Sequence, residues 1–369
     1  VRLIISGGGT GGHVYPALTV VQKLAQQLAE IDILWVGSQG GMEQALVERA
    51  GLKIETISAA GVRGKNPVAA IGSLWTLTQG YRQSWQIIHR FRPDVLFVTG
   101  GYVCVPVALA ARRAGVPIII YLPDLEPGWA IKFLARFANR VAVTAPEAQK
   151  FFKPGLTVVT GYPVQAELFS LRQAGKTAAR RQLGLTDDWP VLLVFGGSRG
   201  ARSINRAVTG QLEAYLRVSQ VIHVCGTLDE EWARARQAEL PEDLQARYHL
   251  SAYLHEEKAA AFVAADLMIS RAGASVMGEL PAAALPAVLA PYPYAGAHQV
   301  LNAQYLARHQ AAIILADADL NEKLKEVVIN LLTDKTKLVE MSQASQSLAK
   351  PDAAACLARA ILEIKNGGN

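Results

Sequence analysis

"VRLIISGGGTGGHVYPALTVVQKLAQQLAE" (residues 1–30) places an apolar, β-branched run, Leu3-Ile4-Ile5, directly before five glycines in the six positions 7–12. The run has the composition of a strand buried on both faces. From Tyr15 the pattern turns helical, with Leu18, Val21, Leu24, Ala25 and Leu28 recurring at three- and four-residue spacing. Strand, glycine turn and helix in that order leave a bare backbone in front of a helix N-terminus. A bulky ligand can come close there and meet free N–H groups at the positive end of the helix dipole.

The same arrangement restarts about 190 residues later in "PVLLVFGGSRGARSINRAV" (190–208). Between and beyond these turns, strand-like runs at 3–6, 33–36, 95–99, 118–121, 140–143 and 157–160 alternate with helical stretches. A second series follows at 221–224, 267–269, 287–290 and 312–315. Alternation of this kind predicts α/β architecture with parallel sheets, here two doubly wound domains. The 369 residues suit two cores better than one. The expected boundaries are 1–163 for the first domain and 164–345 for the second, joined near "TGYPVQAELF" (160–169), with a final helix in 346–369. Ligands of such sheets bind beyond the carboxyl ends of the strands, so a cleft with a glycine turn on each wall is expected.

Composition narrows the function. No run approaches the roughly 20 apolar residues of a membrane span, and with a strand starting at residue 3 no leader is expected. Cys104, Cys225 and Cys356 lack metal-ligand spacing and read as buried thiols of a reducing compartment, without a structural metal. The net charge of +6 is uneven: residues 1–160 hold 16 Lys and Arg against 9 Asp and Glu. Within "GVRGKNPVAAIGSLWTLTQGYRQSWQIIHRFRP" (61–93) five basic residues and no acid accompany Trp75, Tyr81 and Trp85. A solvated basic helix explains this, and so does attachment to an anionic membrane surface, where basic side chains and tryptophan are both favoured. No nucleic-acid motif accompanies the charge, so nucleic acid is not an expected partner.

Gly7, Gly9 and Gly12 fit G-x-G-x-x-G, but "WVGSQG" (35–40) lacks the acid that a dinucleotide's ribose requires at the end of the second strand. His13 stands where a P-loop would place lysine. In "SRAGASVMGELPAAALPAVLAPYPYAGAHQVLNAQYL" (270–306) a helix is expected to start near Ser275, with Glu279 in its first turns. Glu279 is either a carboxylate favoured by the helix start or an acceptor for both hydroxyls of a ribose. His298, Gln299 and Asn302 share a later helical turn and suit sugar hydroxyls, although exposure to solvent also explains each.

Together these motifs resemble those of the MurG-type transferase family of peptidoglycan synthesis. The resemblance is carried by "GGTGGHVYPAL" (8–18), "GVRGK" (61–65), "RPDVLFVTGGYVCVPVALAA" (92–111), "GGSRGARSIN" (196–205), "ADLMISRAGASVMGEL" (265–280) and "HQVLNA" (298–303). It implies a glycosyltransferase B-type fold of two Rossmann-like domains facing across a cleft. The implied activity is inverting, metal-independent transfer of GlcNAc from UDP-GlcNAc, with no cofactor. The acceptor would be the muramoyl 4-hydroxyl of a polyprenyl-pyrophosphate-linked muramoyl peptide (lipid I to lipid II) at the cytoplasmic face of the membrane. A related transferase acting on another lipid-linked or glycolipid acceptor is the alternative. Carried over by position, Thr10, Gly11 and Gly12 lie near the donor sugar and the acceptor's pyrophosphate, with His13 as base. Ser198 contacts the donor diphosphate. Ala274, Ser275, Val276, Met277, Gly278 and Glu279 line the nucleotide, with Glu279 on the ribose, while His298 and Gln299 hold the GlcNAc. His255 stands where the family's backbone reads uracil. The chain departs from the family at Asp124, in "YLPDLEPG" (121–128), which replaces a sugar-binding Asn, and at Gln165, in "GYPVQ" (161–165), which replaces a donor-contacting Arg.

Overall fold

Each glycine turn follows the strand at which its own parallel sheet reverses order. The computed structural model describes residues 1–59, 67–197, 200–293, 298–365 and 367, and for 67–74 the backbone alone. Contacts divide the chain into two units, Val1–Pro163 with Asp352–Asn369, and Val164–Pro351.

The first unit holds β1 (Arg2–Gly7), β2 (Asp32–Ser38), β3 (Lys53–Ile57), β4 (Val95–Gly100), β5 (Ile118–Leu122), β6 (Arg140–Val143) and β7 (Thr157–Val159). They form one sheet in the order β3-β2-β1-β4-β5-β6-β7, every pair parallel. Leu3 pairs with Ile33 on one side and Val95 on the other. Helices cover both faces, so the central strands are buried throughout and read as unbroken apolar runs. Four of these helices bear on function: α1 (Gly11–Gln27), α2 (Glu43–Arg49), α3 (Pro67–Phe91) and α4 (Cys104–Arg113).

The second unit repeats the plan with β8 (Val191–Phe195), β9 (Gln220–Val224), β10 (Tyr248–Ser251), β11 (Leu267–Ser270), β12 (Ala287–Leu289) and β13 (Ala312–Ile314), ordered β10-β9-β8-β11-β12-β13. In both sheets the order reverses beside the first strand, between β1 and β4 and between β8 and β11. The crevice for a ligand in this fold lies beyond the carboxyl ends at that reversal. Both predicted glycine turns stand there.

Every strand expected from the sequence is present, and two were not foreseen. β3 (KIETI) and β10 (YHLS) are edge strands with half-buried or exposed polar positions, so neither carries the apolar run that marks a central strand. The first helix begins at Gly11 rather than Tyr15. Glycine costs roughly 1 kcal/mol per residue in a helix, which hid this turn from the periodicity. The last helix, Ala353–Lys365, returns to the first unit, where Leu357, Ala358, Ile361 and Ile364 join Val20, Val21 and Leu24 in one core. Among the described residues no helix is long and apolar enough to cross a membrane.

Candidate functional site

At the end of β1 the chain turns through Gly8 and Gly9 into α1, whose first turn is Gly11, Gly12, His13 and Val14. Thr10 precedes it in extended conformation, and its carbonyl accepts the His13 N–H at 3.1 Å. His13 Nδ1 lies 3.0 Å from Gly8 O and 3.3 Å from Thr10 Oγ1. A carbonyl only accepts, so Nδ1 carries the ring proton in the Gly8 bond and Nε2 keeps its lone pair. The Thr10 hydroxyl then accepts from Nδ1 as well and retains its own proton for a ligand.

The other side of the ring rests on β4. A Cβ on Gly100 would stand 2.9 Å from His13 Nε2, and one on Gly101 would stand 2.8 Å from Gly8 O. Both residues have positive φ, 130° and 94°, so a side chain at either would be strained as well as obstructed. The turn after β4 is therefore kept bare to admit His13 and the first glycine turn.

An acid sits behind this turn, although "WVGSQG" has none. It is Glu43, from the first turn of α2. Glu43 is fully buried and accepts from Gly9 N (3.2 Å), Ser38 N (2.8 Å) and Ser38 Oγ (2.5 Å). Sequence reasoning looked for an acid at the end of β2, whereas the fold brings one in from the following helix.

Asp124 lies half-buried in the loop after β5. Beside it the Tyr121 hydroxyl is pushed well above its ordinary value, mainly by burial, with the Asp124 charge adding to the effect. Arg112 and Arg113, possible cations for Asp124, lie over the rings of Phe137 and Trp85. On α3, Trp75 is 70% exposed and Arg82 is exposed, while Trp85 is half-buried with its ring centroid 3.9 Å from that of His89, the two rings tilted by 44°. Arg63, Lys65 and the whole "GVRGK" block lie outside the described residues.

In the second unit Ser198, with Arg199, lies outside the described residues. On either side of them Gly197 and Gly200 have φ of 89° and 75°, and a Cβ on Gly200 would stand 2.2 Å from Cys225 O. The helix Arg202–Thr209 follows, and Arg202 Nε donates to the buried Asp229 Oδ1 at 2.9 Å. Asp229 also accepts from Asn205, whose carbonyl oxygen faces His223 Nε2 at 3.0 Å; Tyr248 OH meets Nδ1 at 2.7 Å. Burial lowers the His223 pKa to about 4, so the ring is neutral. Asn205 spends both amide protons, on Cys225 O and Asp229, so Nε2–H donates to its oxygen and Nδ1 accepts from Tyr248. Ser270 Oγ donates to Phe195 O at 2.7 Å, joining β8 to β11 at the reversal.

Beyond β11 the helix Val276–Ala283 begins with Ser275 at its cap, as expected. The N–H groups of Val276, Met277, Gly278 and Glu279 turn back to the carbonyls of Gly273, Ala274 and Ser275. The side chains of Ala274, Val276 and Met277 are buried within the unit and these N–H groups are spent internally, so the segment offers a ligand mainly the side chains of Ser275 and Glu279. Glu279 Oε1 accepts from Lys258 Nζ at 2.6 Å, and the ammonium lies over the rings of Phe195 and Phe262. Nothing in the sequence pattern pointed to Lys258. The His255 N–H donates to Glu257 Oε2 at 3.3 Å, and Gln165 is exposed at the cap of the helix Ala166–Ala174.

His298 and Gln299 open the helix His298–Arg308. Gln299 Oε1 accepts from Tyr292 N at 2.9 Å, which leaves its Nε2 as the end that can donate to a ligand. His298 Nδ1 is buried without a partner among the described residues. Asn302 does not share their role: it is fully buried and donates to Ala272 O at 3.0 Å. Cys104 and Cys225 are buried thiols, whereas Cys356 is only half-buried. Among the described residues no three of His, Cys, Asp and Glu gather as they would around a metal ion.

Comparison with known proteins covers both units. Residues 3–143 match the glycosyltransferase family 28 N-terminal domain, and residues 191–357 match its C-terminal domain. The UDP-N-acetylglucosamine–N-acetylmuramyl-(pentapeptide) pyrophosphoryl-undecaprenol N-acetylglucosamine transferase of Roseiflexus sp. (strain RS-1) is 44% identical over 97% of this chain and 94% of its own. The protein of the same name from Bacillus subtilis (strain 168) is 35% identical over 99% and 100%. The crystal structure of Acinetobacter baumannii MurG superposes with a TM-score of 0.76 at 28% identity, covering 98% of this chain and 99% of that one. A UDP-GlcNAc 2-epimerase from Neisseria meningitidis, solved with UDP-GlcNAc, shares the fold at 11% identity, with a TM-score of 0.67 over 98% of this chain and all of its own.

Proposed function

The chain belongs to glycosyltransferase family 28, among its N-acetylmuramyl-(pentapeptide) pyrophosphoryl-undecaprenol N-acetylglucosamine transferases, and from that membership we propose that it transfers GlcNAc from UDP-GlcNAc to the 4-hydroxyl of a polyprenyl-pyrophosphate-linked muramoyl peptide. The observation that carries the reading beyond likeness is the His13 ring. Its Nδ1 is tied to Gly8 O at the carboxyl end of β1, so Nε2 is left as a proton acceptor at the sheet's ligand-binding edge.

In this reading the second unit holds the donor and the first supplies the base. Glu279 takes the ribose with the oxygen not held by Lys258, and Gln299 donates its amide to the GlcNAc, with His298 beside it. Gly197, Gly200 and the N-terminus of Arg202–Thr209 face the diphosphate, and Ser198, which lies outside the described residues, is the side chain the resemblance assigns to it. Backbone N–H groups there stabilise charge as UDP leaves, which is work that preorganised dipoles do well. Nε2 takes the proton of the acceptor hydroxyl while its oxygen bonds to the anomeric carbon. The bond from that carbon to the UDP oxygen breaks, its electron pair leaves with UDP, and the configuration inverts. The transfer needs no metal in this scheme. A polyprenyl acceptor is rooted in lipid, so the protein works at the cytoplasmic face of the membrane as a peripheral protein, and the exposed Trp75 and Arg82 of α3 suit that surface.

The test is transfer of labelled GlcNAc from UDP-GlcNAc to lipid I, run beside other polyprenyl-linked sugars and with a chelator present. Transfer to lipid I alone, unaffected by the chelator, is expected. Efficient transfer to a different acceptor and none to lipid I would assign the chain to the related glycolipid transferases instead.

A further inference from the structure

We infer that Glu43 positions His13 for proton transfer through the single peptide unit that joins Gly8 to Gly9. This rests on the reading of His13 as the base. The Gly9 N–H donates to Glu43 Oε2 at 3.2 Å, and the carbonyl of that same peptide, Gly8 O, accepts from His13 Nδ1 at 3.0 Å. One planar amide therefore stands between a carboxylate and an imidazole.

Glu43 is built into the glycine turn rather than merely near it. A Cβ on Gly8 would lie 2.4 Å from its Oε1, and a Cβ on Gly41 would lie 2.3 Å from the same atom. Those two glycines make room for the carboxylate, so part of the bare backbone in this turn serves an internal acid and not a ligand. Among the described residues the hydrogen bonds to Glu43 come from neutral donors, Gly9 N, Ser38 N and Ser38 Oγ, and not from a cation. Its negative charge therefore remains effective on the amide it touches. A further titratable neighbour among the described residues is Cys104, whose thiol donates to Gly100 O (2.9 Å) and Ser6 O (3.2 Å). Burial pushes that thiol up to about 12, so it stays neutral.

The consequence is electronic and geometric together. A carboxylate on the N–H end polarises the peptide and makes its carbonyl a stronger acceptor. That carbonyl holds the proton of His13 on Nδ1, keeps the Nε2 lone pair available, and favours the imidazolium once Nε2 has taken the acceptor's proton. The Asp behind the histidine of a serine hydrolase does the same by direct contact; here an amide is interposed. Nδ1 keeps its proton throughout, so no proton passes to Glu43.

Glu43→Gln keeps the shape and removes the charge. It should lower kcat by about 10- to 100-fold, part of the usual range for general-base assistance. KM for UDP-GlcNAc should stay within about twofold, because uniform binding is untouched. The acid limb of the kcat/KM profile should move to lower pH, since the imidazolium loses a stabilising charge. In a His13→Ala background the same change should cost no further rate, as residues acting as one unit are not additive. Nitrogen-15 histidine NMR of the unaltered protein needs no variant to fold, and should show His13 protonated on Nδ1 at neutral pH. A His13 proton on Nε2 would overturn the inference. So would a Glu43→Gln protein that loses rate, donor affinity and melting temperature together, or one that loses further rate without His13. Wild-type turnover by His13→Ala would instead remove the base assignment on which the inference stands.

Discussion

Lys258 Nζ lies 2.6 Å from Glu279 Oε1, so the carboxylate proposed for the ribose is already held by a cation of its own unit. The pair is partly exposed, with side-chain accessibilities of 31% and 16%. It engages Oε1, so Oε2 is the oxygen that a diol would meet. Glu279→Ala should remove most of the UDP-induced rise in melting temperature, because a hydrogen bond to a charged group contributes about 1.5–3 kcal/mol. Lys258→Met should weaken UDP binding less, and should make it less sensitive to salt. Thermal shift with UDP, repeated at low and high salt, measures both; unchanged UDP affinity in Glu279→Ala would reduce Glu279 to a helix-start carboxylate.

His13→Ala should lower turnover by roughly 10²–10⁴ while leaving UDP-GlcNAc binding nearly intact. Single-turnover rates and donor titration on the same preparation separate the two quantities. If His13 only braced the glycine turn through Gly8 O, stability and donor binding would fall together and turnover per folded molecule would hold.

The pH dependence of stability should carry the mark of His223. Its folded pKa, lowered to about 4 by burial, lies below the ordinary value of 6.5. The unfolded chain therefore binds a proton that the native state refuses, over the window from about 6.5 down to about 4. Stability from this group is complete above that window and is lost as pH falls through it. The loss is of order 3 kcal/mol at most. Urea melts of the second unit at pH 7.5 and pH 4.5, compared with His223→Gln, would show a smaller pH effect in the variant.

How much of this was readable beforehand follows from where each residue sits. The central strands and both glycine turns were legible because burial on two faces demands unbroken apolar runs, and a turn at the sheet reversal demands glycine. The edge strands β3 and β10 were not, since one free edge and polar neighbours erase that pattern. His13 and Glu279 could be singled out from their places beside the turns. Glu43 and Lys258 could not, because each reaches its partner from the start of another helix. Asn302 misled for a related reason: its position four residues after His298 says nothing of the Ala272 carbonyl that the fold places against it.

Membrane attachment should need anionic lipid and should weaken with salt, as screening requires. Trp75, 70% exposed, and Arg82 are the described residues expected to matter, together with Arg63 and Lys65. Trp85 should matter less, because its ring is engaged by Arg113 and His89. Vesicle sedimentation with neutral and anionic lipid tests this. Equal binding to both, or indifference to Trp75→Ala with Arg82→Gln, would count against this surface.

Asp124 is the departure that the resemblance expects to bear on the acceptor, and Asp124→Asn exchanges carboxylate for amide with almost no change of shape. An ionised carboxylate can only accept, whereas an amide donates as well, so the two side chains ask for different sugar groups. Asp124 stands half-buried after β5, in the same unit as His13, with its charge bearing on the buried Tyr121 hydroxyl. If it contacts the acceptor sugar, Asp124→Asn should change kcat/KM for lipid I severalfold relative to other polyprenyl-linked sugars, with UDP affinity unchanged. A change of one polar contact is worth about 0.5–1.5 kcal/mol, or roughly 2- to 13-fold. A uniform fall for every acceptor would make Asp124 a brace for the base, a role that the geometry already gives to Glu43 through the Gly8–Gly9 peptide. The discriminating measurement is competition between two acceptors in one reaction, because their product ratio cancels differences in the amount of active protein. An unchanged ratio together with an unchanged rate would leave Asp124 as a loop residue without a substrate contact.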